Sequence, residues 1–398
     1  MSSVINNMAN LSLTTRHKPY YFDGWLLLAA ISLLCIGFVM VTSASLHLGE
    51  RVFSDITHYP LRQLIHIIIG LLMATIMAMT PLKMWEQFGS SLILVAIGLL
   101  VLVFIPGIGV KVNGSYRWIN LGITRVQVSE LVKLICIIYI AGFLTRHVDV
   151  VRTSIKGVIR PILPLGLVFG LLMAEPDFGA SFVIGFSVVC MMFLGGARLI
   201  EFITLVCMAI VLSVVAVVSS NYRMERVTAF MDPWADPLDS GFQLVQSLIA
   251  MGRGEWFGVG LGSSIQKLFY LPEAHTDFIF AVLGEELGLI GSSTVILLFG
   301  LFIWRAFQLG KAAERLNLRF YSLLAYGLGV WVGLQSFVNI AVNMGSLPTK
   351  GLTLPLMSYG GSSMIVMCMV VGLLCRIHHE TQIDFEAQLK RRASWQYV

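Results

Sequence analysis

Apolar residues run along this chain in unbroken stretches of about 18 positions, each long enough to cross a hydrocarbon layer of roughly 30 Å as a helix. Ten stretches are read, at 25–46, 61–79, 88–105, 129–144, 162–173, 179–194, 199–219, 278–304, 320–344 and 354–375. The fifth is short, and only the tight turn "AEPDFG" parts it from the sixth. A membrane barrel would show alternating segments of about ten residues. Continuous runs favour helices, which satisfy their own backbone hydrogen bonds in lipid. The predicted fold is an all-α polytopic bundle of about ten transmembrane helices. A polar tail at 1–24 precedes the membrane domain at 25–375, which includes a long outer loop at 221–276, and a second tail follows at 376–398. Residues 1–24 lack a signal-peptide pattern, so the first span reads as an uncleaved anchor.

Composition agrees with this pattern. The 398 residues are 57% hydrophobic and 12% charged, about half the charged fraction of a soluble domain, and the mean hydropathy is +0.83. With the N-terminus in the cytoplasm, inside segments hold sixteen of the 27 Lys and Arg residues, which predicts both termini inside. Lys111, Arg117 and Arg125 in an outer loop count against it. The net charge of +5 is explained by inner loops against anionic lipid, and no basic, aromatic-interleaved stretch suggests nucleic acid. All six cysteines fall in apolar spans without metal-ligand spacing and read as packing residues.

The loop at 221–276 is too long to be a simple connection. It opens with Asp-Pro turns in "MDPWADPLDSG". It continues with "FQLVQSLIAMG", where Phe242, Val245, Leu248 and Ile249 at helical spacing predict a short interfacial helix. A glycine-rich stretch leads back to the membrane. A second outer connection, 343–363, combines Pro348, Pro355 and paired glycines with one cation, Lys350.

Acids gather where the eighth span begins. Asp277 follows Thr276, a candidate N-cap, in "YLPEAHTDFIFAVLGEELG". Its plain role is to complement a helix dipole; its chemical role is a general base facing an outer cavity. A helix N-terminus lowers a carboxyl pKa, so the second role requires burial or a neighbouring acid to raise it. Glu273 and His275 are placed to help. Glu285 and Glu286 lie two turns deeper, where ionisable groups are costly. They point about 80° and 180° away from Asp277, so at most one shares its face; tying helices together is the first reading, a cavity wall the second. Glu130 and Lys133, three apart, suit a local ion pair or a polar cavity wall. Arg117 beside Trp118 reads as an interface anchor. Arg253, Lys267 and Lys350 are outer cations suited to phosphate. Asp-Pro turns account for two of Asp232, Asp236 and Asp239, a divalent ion among them being the alternative.

At these residues the sequence resembles the SEDS family of bacterial cell-envelope proteins, over about 22–376. The resemblance is densest from Arg226 to Gly288 and in "PTKGLTLPLMSYGGSS" at 348–363. "PTKG" resembles the division type more than the elongation type. Two departures occur: Tyr116-Arg117-Trp118 stands for the family's Arg-Arg-Trp, and Gln127-Val128-Ser129-Glu130 for its Gln-Pro-Ser-Glu.

The resemblance implies a glycosyltransferase of the inner membrane that polymerises lipid II into glycan strands at the division septum and releases undecaprenyl diphosphate. It works with a class B penicillin-binding transpeptidase and other divisome membrane proteins. The family's catalytic aspartate falls on Asp277, the expected base toward the GlcNAc 4-hydroxyl. Lys350, Arg253, Lys267 and Arg117, in that order, are expected at the diphosphate, with Glu130, Lys133, Glu273 and His275 in support. No cofactor is required by the sequence; a divalent cation (Mg or Mn) on the diphosphate is compatible with it. The competing readings are a flippase for the lipid-linked precursor and a non-catalytic scaffold.

Overall fold

A computed structural model describes residues 20–112, 115–120 and 125–395. Among them, nine helices are long and apolar enough to cross a membrane, and the shorter Phe178–Leu194 brings the bundle to ten. In chain order these are α1 (Gly24–Phe53), α2 (His58–Met79), α3 (Leu82–Val103), α4 (Val128–Arg146), α6 (Ile155–Ala174), α7 (Phe178–Leu194), α8 (Leu199–Val218), α11 (Ile279–Arg315), α12 (Arg319–Asn343) and α13 (Gly361–Trp395), with α5 (Val148–Thr153) a short link. The protein is a multi-pass membrane protein. An even number of spans returns both ends to one face, and they meet there: the Tyr21 amide donates to His379 Nδ1 (3.2 Å).

The core is built around helices that are apolar on every side. α4 is buried along nearly its whole length, whereas in α8 only Glu201 and Leu205 are buried. An all-round apolar helix suits either the centre of a bundle or lipid, and packing assigns α4 to the first and α8 to the second. At the terminal face, Asp23 caps α1 by accepting from the Leu26 amide (3.1 Å) and pairs with Arg305 of α11 (2.6 Å).

The opposite face departs from the sequence expectation in three places. The loop after α3 carries a small antiparallel sheet, β1 (Gly109–Val112), β2 (Ser115–Asn120) and β3 (Arg125–Gln127), where no strands were expected. The tenth span begins at Gly361, not at 354. Pro355 and Gly360 break the helix there, and Leu354, Leu356 and Met357 are buried as non-helical chain. The interfacial helix exists, as α10 (Phe242–Arg253), after α9 (Asn221–Met231), but its buried face is Leu244, Val245, Ser247 and Ala250. Ile249 turns outward, because the Ser247 hydroxyl donates to the Asn343 carbonyl (2.7 Å) and fixes the rotation.

α11 is broken at Gly288 (φ 65°, ψ −160°). The break opens the bonds that Leu289 and Ile290 would make to the carbonyls of Glu285 and Glu286. The glycine-rich stretch takes all four groups: Val259 and Gly260 donate to those carbonyls (2.9 and 3.1 Å), and Leu289 and Ile290 donate to those of Glu255 and Trp256 (2.8 and 3.2 Å). Glycine is needed where the backbones touch. A Cβ on Gly258, which has φ +78°, would lie 2.1 Å from the Glu286 carbonyl oxygen.

Candidate active site

Asp277 lies just before α11, on the wall of a cavity of about 1000 Å³ at the face opposite the termini. The cavity is lined by β2, the α6–α7 turn, the end of α8, α9, the segment before α11 and the segment before α13. Two side chains on α12 hold the backbone of Asp277 in place. Asn339 and Asn343 each donate to its carbonyl (2.8 and 3.0 Å), and Asn339 also donates to the Leu352 carbonyl (2.6 Å). Gln335, one turn further in, donates to the Thr353 carbonyl (2.9 Å). These residues sit at i, i+4 and i+8, one stripe of a helix, so α12 fixes the position of Asp277 against the 345–360 segment.

The Asp277 carboxyl itself receives no hydrogen bond from a described residue. It lies against Gly351, where a Cβ would come 3.1 Å from Oδ2. Burial, with the nearby Glu273 charge adding and Arg226 opposing, raises its pKa to about 7. This is the shift that a base at a helix start requires. Thr276 is not the cap: its hydroxyl donates to the Glu273 carboxylate (2.6 Å), and α11 has no side-chain cap.

Lys350 faces the same cavity. Its ammonium lies 4.8 and 4.3 Å from the ring centres of Phe178 and Phe182 and makes no ion pair among the described residues. Aromatic faces attract the cation, while burial lowers its pKa to about 8. Arg117 also lines the cavity, held by bonds to the carbonyls of Glu175 (3.0 Å) and Pro176 (2.7 Å). Glu273 is on the wall, whereas His275 packs behind it, its ring against Tyr59 and Tyr359 (5.0 and 5.4 Å) and its carbonyl accepting from the Tyr359 amide (3.0 Å).

The structure does not bring the other expected cations to the cavity. Arg253 pairs with Glu285 (3.0 Å) and Lys267 with Glu286 (2.9 Å), so both neutralise buried carboxylates. Glu285 also accepts from the Ser264 hydroxyl (2.5 Å) and the Ile265 amide (3.1 Å), and Glu286 from Ser43 (2.7 Å). Lys133 pairs with Glu130 (2.8 Å) and donates to Gln335 (2.9 Å), so this pair lies behind the cavity wall and reaches it only through Gln335 and Thr353.

Sequence reading passed over four groups. Arg226 lines the cavity and donates to the Thr349 carbonyl (3.0 Å). Asn339 and Asn343 stand in an apolar helix at helical spacing, a signal that was available. Glu175, in the α6–α7 turn, is buried without a hydrogen-bond partner for either carboxyl oxygen, and burial, with Asp177 adding and Arg117 opposing, raises it to about 8. Among the described residues no group of three His, Cys, Asp or Glu side chains is placed to hold a metal ion. Asp236 instead accepts from the Ser240 amide and hydroxyl (3.2 and 3.1 Å).

A family model for FtsW, RodA and SpoVE, described as "Cell cycle protein", matches residues 24–383. The chain belongs to this family. It is 56% identical over 366 residues to a protein of Methylococcus capsulatus called probable peptidoglycan glycosyltransferase FtsW, covering 92% of each chain. A Coxiella burnetii protein called by the same words is 48% identical over 361 residues, with 91% of this chain and 97% of that protein covered. Among solved structures, the fold is similar to a chain from work on the structural coordination of polymerization and crosslinking by a peptidoglycan synthase complex. There the TM-score is 0.73 at 28% identity, covering 90% of this chain and 98% of that one. The rod shape determining protein RodA of Thermus thermophilus superposes with a TM-score of 0.67 at 26% identity, over 90% of this chain and 97% of that one. The kinship read from residues 226–288 and 348–363 thus extends through the FtsW/RodA/SpoVE membrane domain.

Proposed function

We propose that this protein is a peptidoglycan glycosyltransferase that joins lipid II disaccharides into glycan strands, with Asp277 as the general base. The observation that carries the reading is one carboxyl that receives no hydrogen bond from a described residue, near-neutral in pKa, in a cavity also lined by Lys350, Arg226 and Arg117. An acceptor sugar hydroxyl needs a base within hydrogen-bond reach. A diphosphate leaving group needs positive charge more than a proton. Asp277 takes the proton of the GlcNAc 4-hydroxyl as its oxygen bonds to C1 of the donor MurNAc. The bond from C1 to the phosphate oxygen breaks, and undecaprenyl diphosphate leaves against Lys350 and its neighbouring arginines.

The lipid-exposed helix α8 contributes Ser213, Val214, Val217 and Val218 to the cavity wall. A polyprenyl chain can therefore remain in lipid while its head group enters. The excess of Lys and Arg in the segments on the terminal side supports cytoplasmic termini and a cavity open to the periplasm, and the likeness to proteins called FtsW supports work at the septum beside a class B transpeptidase and other division proteins.

The test is conversion of lipid II to glycan strands by the purified full-length protein, with and without its transpeptidase. Asp277→Asn is expected to abolish polymer while leaving folding and partner binding intact. Continued polymerisation by that variant overturns the base assignment; flipping of labelled lipid without polymer from the wild type replaces the reading with transport.

A further inference from the structure

The glycine-rich stretch that enters the break in α11 presents its two largest side chains away from the protein. Trp256 is 66% and Phe257 80% exposed. Their depth follows from the helix they are bonded to. The Trp256 carbonyl accepts from Ile290, and Ile290, Leu289 and Leu297 lie on the exposed apolar surface of α11. The unbroken helix from Leu289 to Arg305 is about 24 Å long at 1.5 Å per residue, and an average tilt shortens its span only slightly. Arg305, paired with Asp23 and flanked by exposed Trp304 and Trp25, marks the membrane boundary at the terminal face. A hydrocarbon layer of roughly 30 Å measured from there ends close to the two aromatic rings.

We propose that residues 254–260 are a re-entrant segment whose tip, Trp256 and Phe257, is seated in the lipid leaflet remote from the chain termini, where hydrocarbon meets head groups. Irregular backbone is tolerated at such depth only where its polar groups are satisfied. Here Gly258 donates to the Gly254 carbonyl (2.7 Å), Val259 and Gly260 donate to α11, and the carbonyls of Glu255 and Trp256 accept from it. The flanking residues fit the same level: Arg253 and Glu255 put charge beside the rings, where head groups are, and aromatic rings with a polar edge favour that boundary. Lipid is the occupant because the rings continue the apolar surface of a membrane span. The buried pairs Arg253–Glu285 and Lys267–Glu286 lock the segment to α11, which begins just after Asp277. The anchor and the cavity therefore share one rigid element, and the tip sets the height of Asp277 above the head groups.

The seating is read without any enzymatic assay, so its outcome is separate from the proposed activity. Full-length protein is reconstituted in phosphatidylethanolamine–phosphatidylglycerol vesicles with a fluorescent noncanonical residue in place of Phe257, and in a second sample in place of Leu238, an 86% exposed loop residue. At 257, a nitroxide carried high on the lipid acyl chain is expected to quench several-fold more strongly than aqueous iodide; at 238 the order reverses. Iodide quenching at 257 as strong as at 238 overturns the proposal. Independently, Trp256→p-benzoylphenylalanine in the complete complex is expected to yield a photoadduct with phospholipid. An adduct only with a protein chain overturns it in favour of a docking surface.

Discussion

Asp277 and the pair Glu285/Glu286 stand a few residues apart in one sequence stretch, yet their surroundings are opposite. Each glutamate is fully buried and partnered: Glu285 by a cation, a hydroxyl and backbone amides, Glu286 by a cation and a hydroxyl. Asp277 is half-buried, has its backbone pinned by two asparagines, and has no donor to its carboxyl among the described residues. A paired buried charge becomes costly when its partner is removed; a carboxyl held in place without a described donor is what the proposed base role requires. One short stretch thus both clamps the outer loop and carries the proposed base.

The contrast breaks if exchanging the two kinds of acid gives the same phenotype. The largest expected effect is on turnover: Asp277→Asn lowers polymerisation by about 10²–10⁴-fold, measured by lipid II consumption, with partner binding unchanged. Glu286→Ala does the reverse. It strands Lys267 in a buried site and costs about 3–5 kcal/mol of stability, seen as a fall in the thermal midpoint. The double variant Glu286→Leu with Lys267→Met recovers most of that loss, because neither charge is then left alone.

Lys350→Met tests the cation side of the cavity, with a fall of about 10²-fold in kcat/KM expected from the loss of one preorganised positive group. Arg253→Met, by contrast, is expected to act mainly on stability. In a pH profile of kcat/KM, activity rises as Asp277 loses its proton near pH 7 and falls as Lys350 loses its own near pH 8, which leaves a narrow optimum between the two. Asp277→Asn removes the acidic limb from any residual activity.

The smallest effect concerns stability. The folded pKa of Asp277 lies above its ordinary value of 3.8, so the folded state holds the proton more tightly and loses stability as pH rises from about 4 to about 7. Asp277→Asn is therefore expected to melt a few degrees higher than wild type at pH 8. The advantage shrinks as pH falls toward 4 and is gone below it, where the unfolded state too is protonated.

The stripe of Gln335, Asn339 and Asn343 shows what sequence reading misses. Polar residues at helical spacing in an apolar span were visible, but their partners, the backbones of Asp277, Leu352 and Thr353, lie in other segments. The outer cations show the same limit. Arg253, Lys267 and Lys350 look alike in the chain as basic residues in glycine-rich surroundings, and only distance separates the two with carboxylate partners from the one against aromatic rings. The start of the tenth span was misplaced because Leu354, Leu356 and Met357 are as apolar as helix while forming buried irregular chain.

The sequence by itself determined the ten-helix membrane architecture, the two long outer segments and the family, and it singled out Asp277 as the candidate base. Each follows from local pattern: the length of an apolar run is a property of neighbouring residues, and ordered motifs are read in place. The tertiary structure decided which charges are spent and which remain available. Lys267 finds Ser43 across 224 positions of sequence and Arg226 finds Thr349 across 123. Such pairings depend on how helices pack, and no periodicity within one segment encodes them.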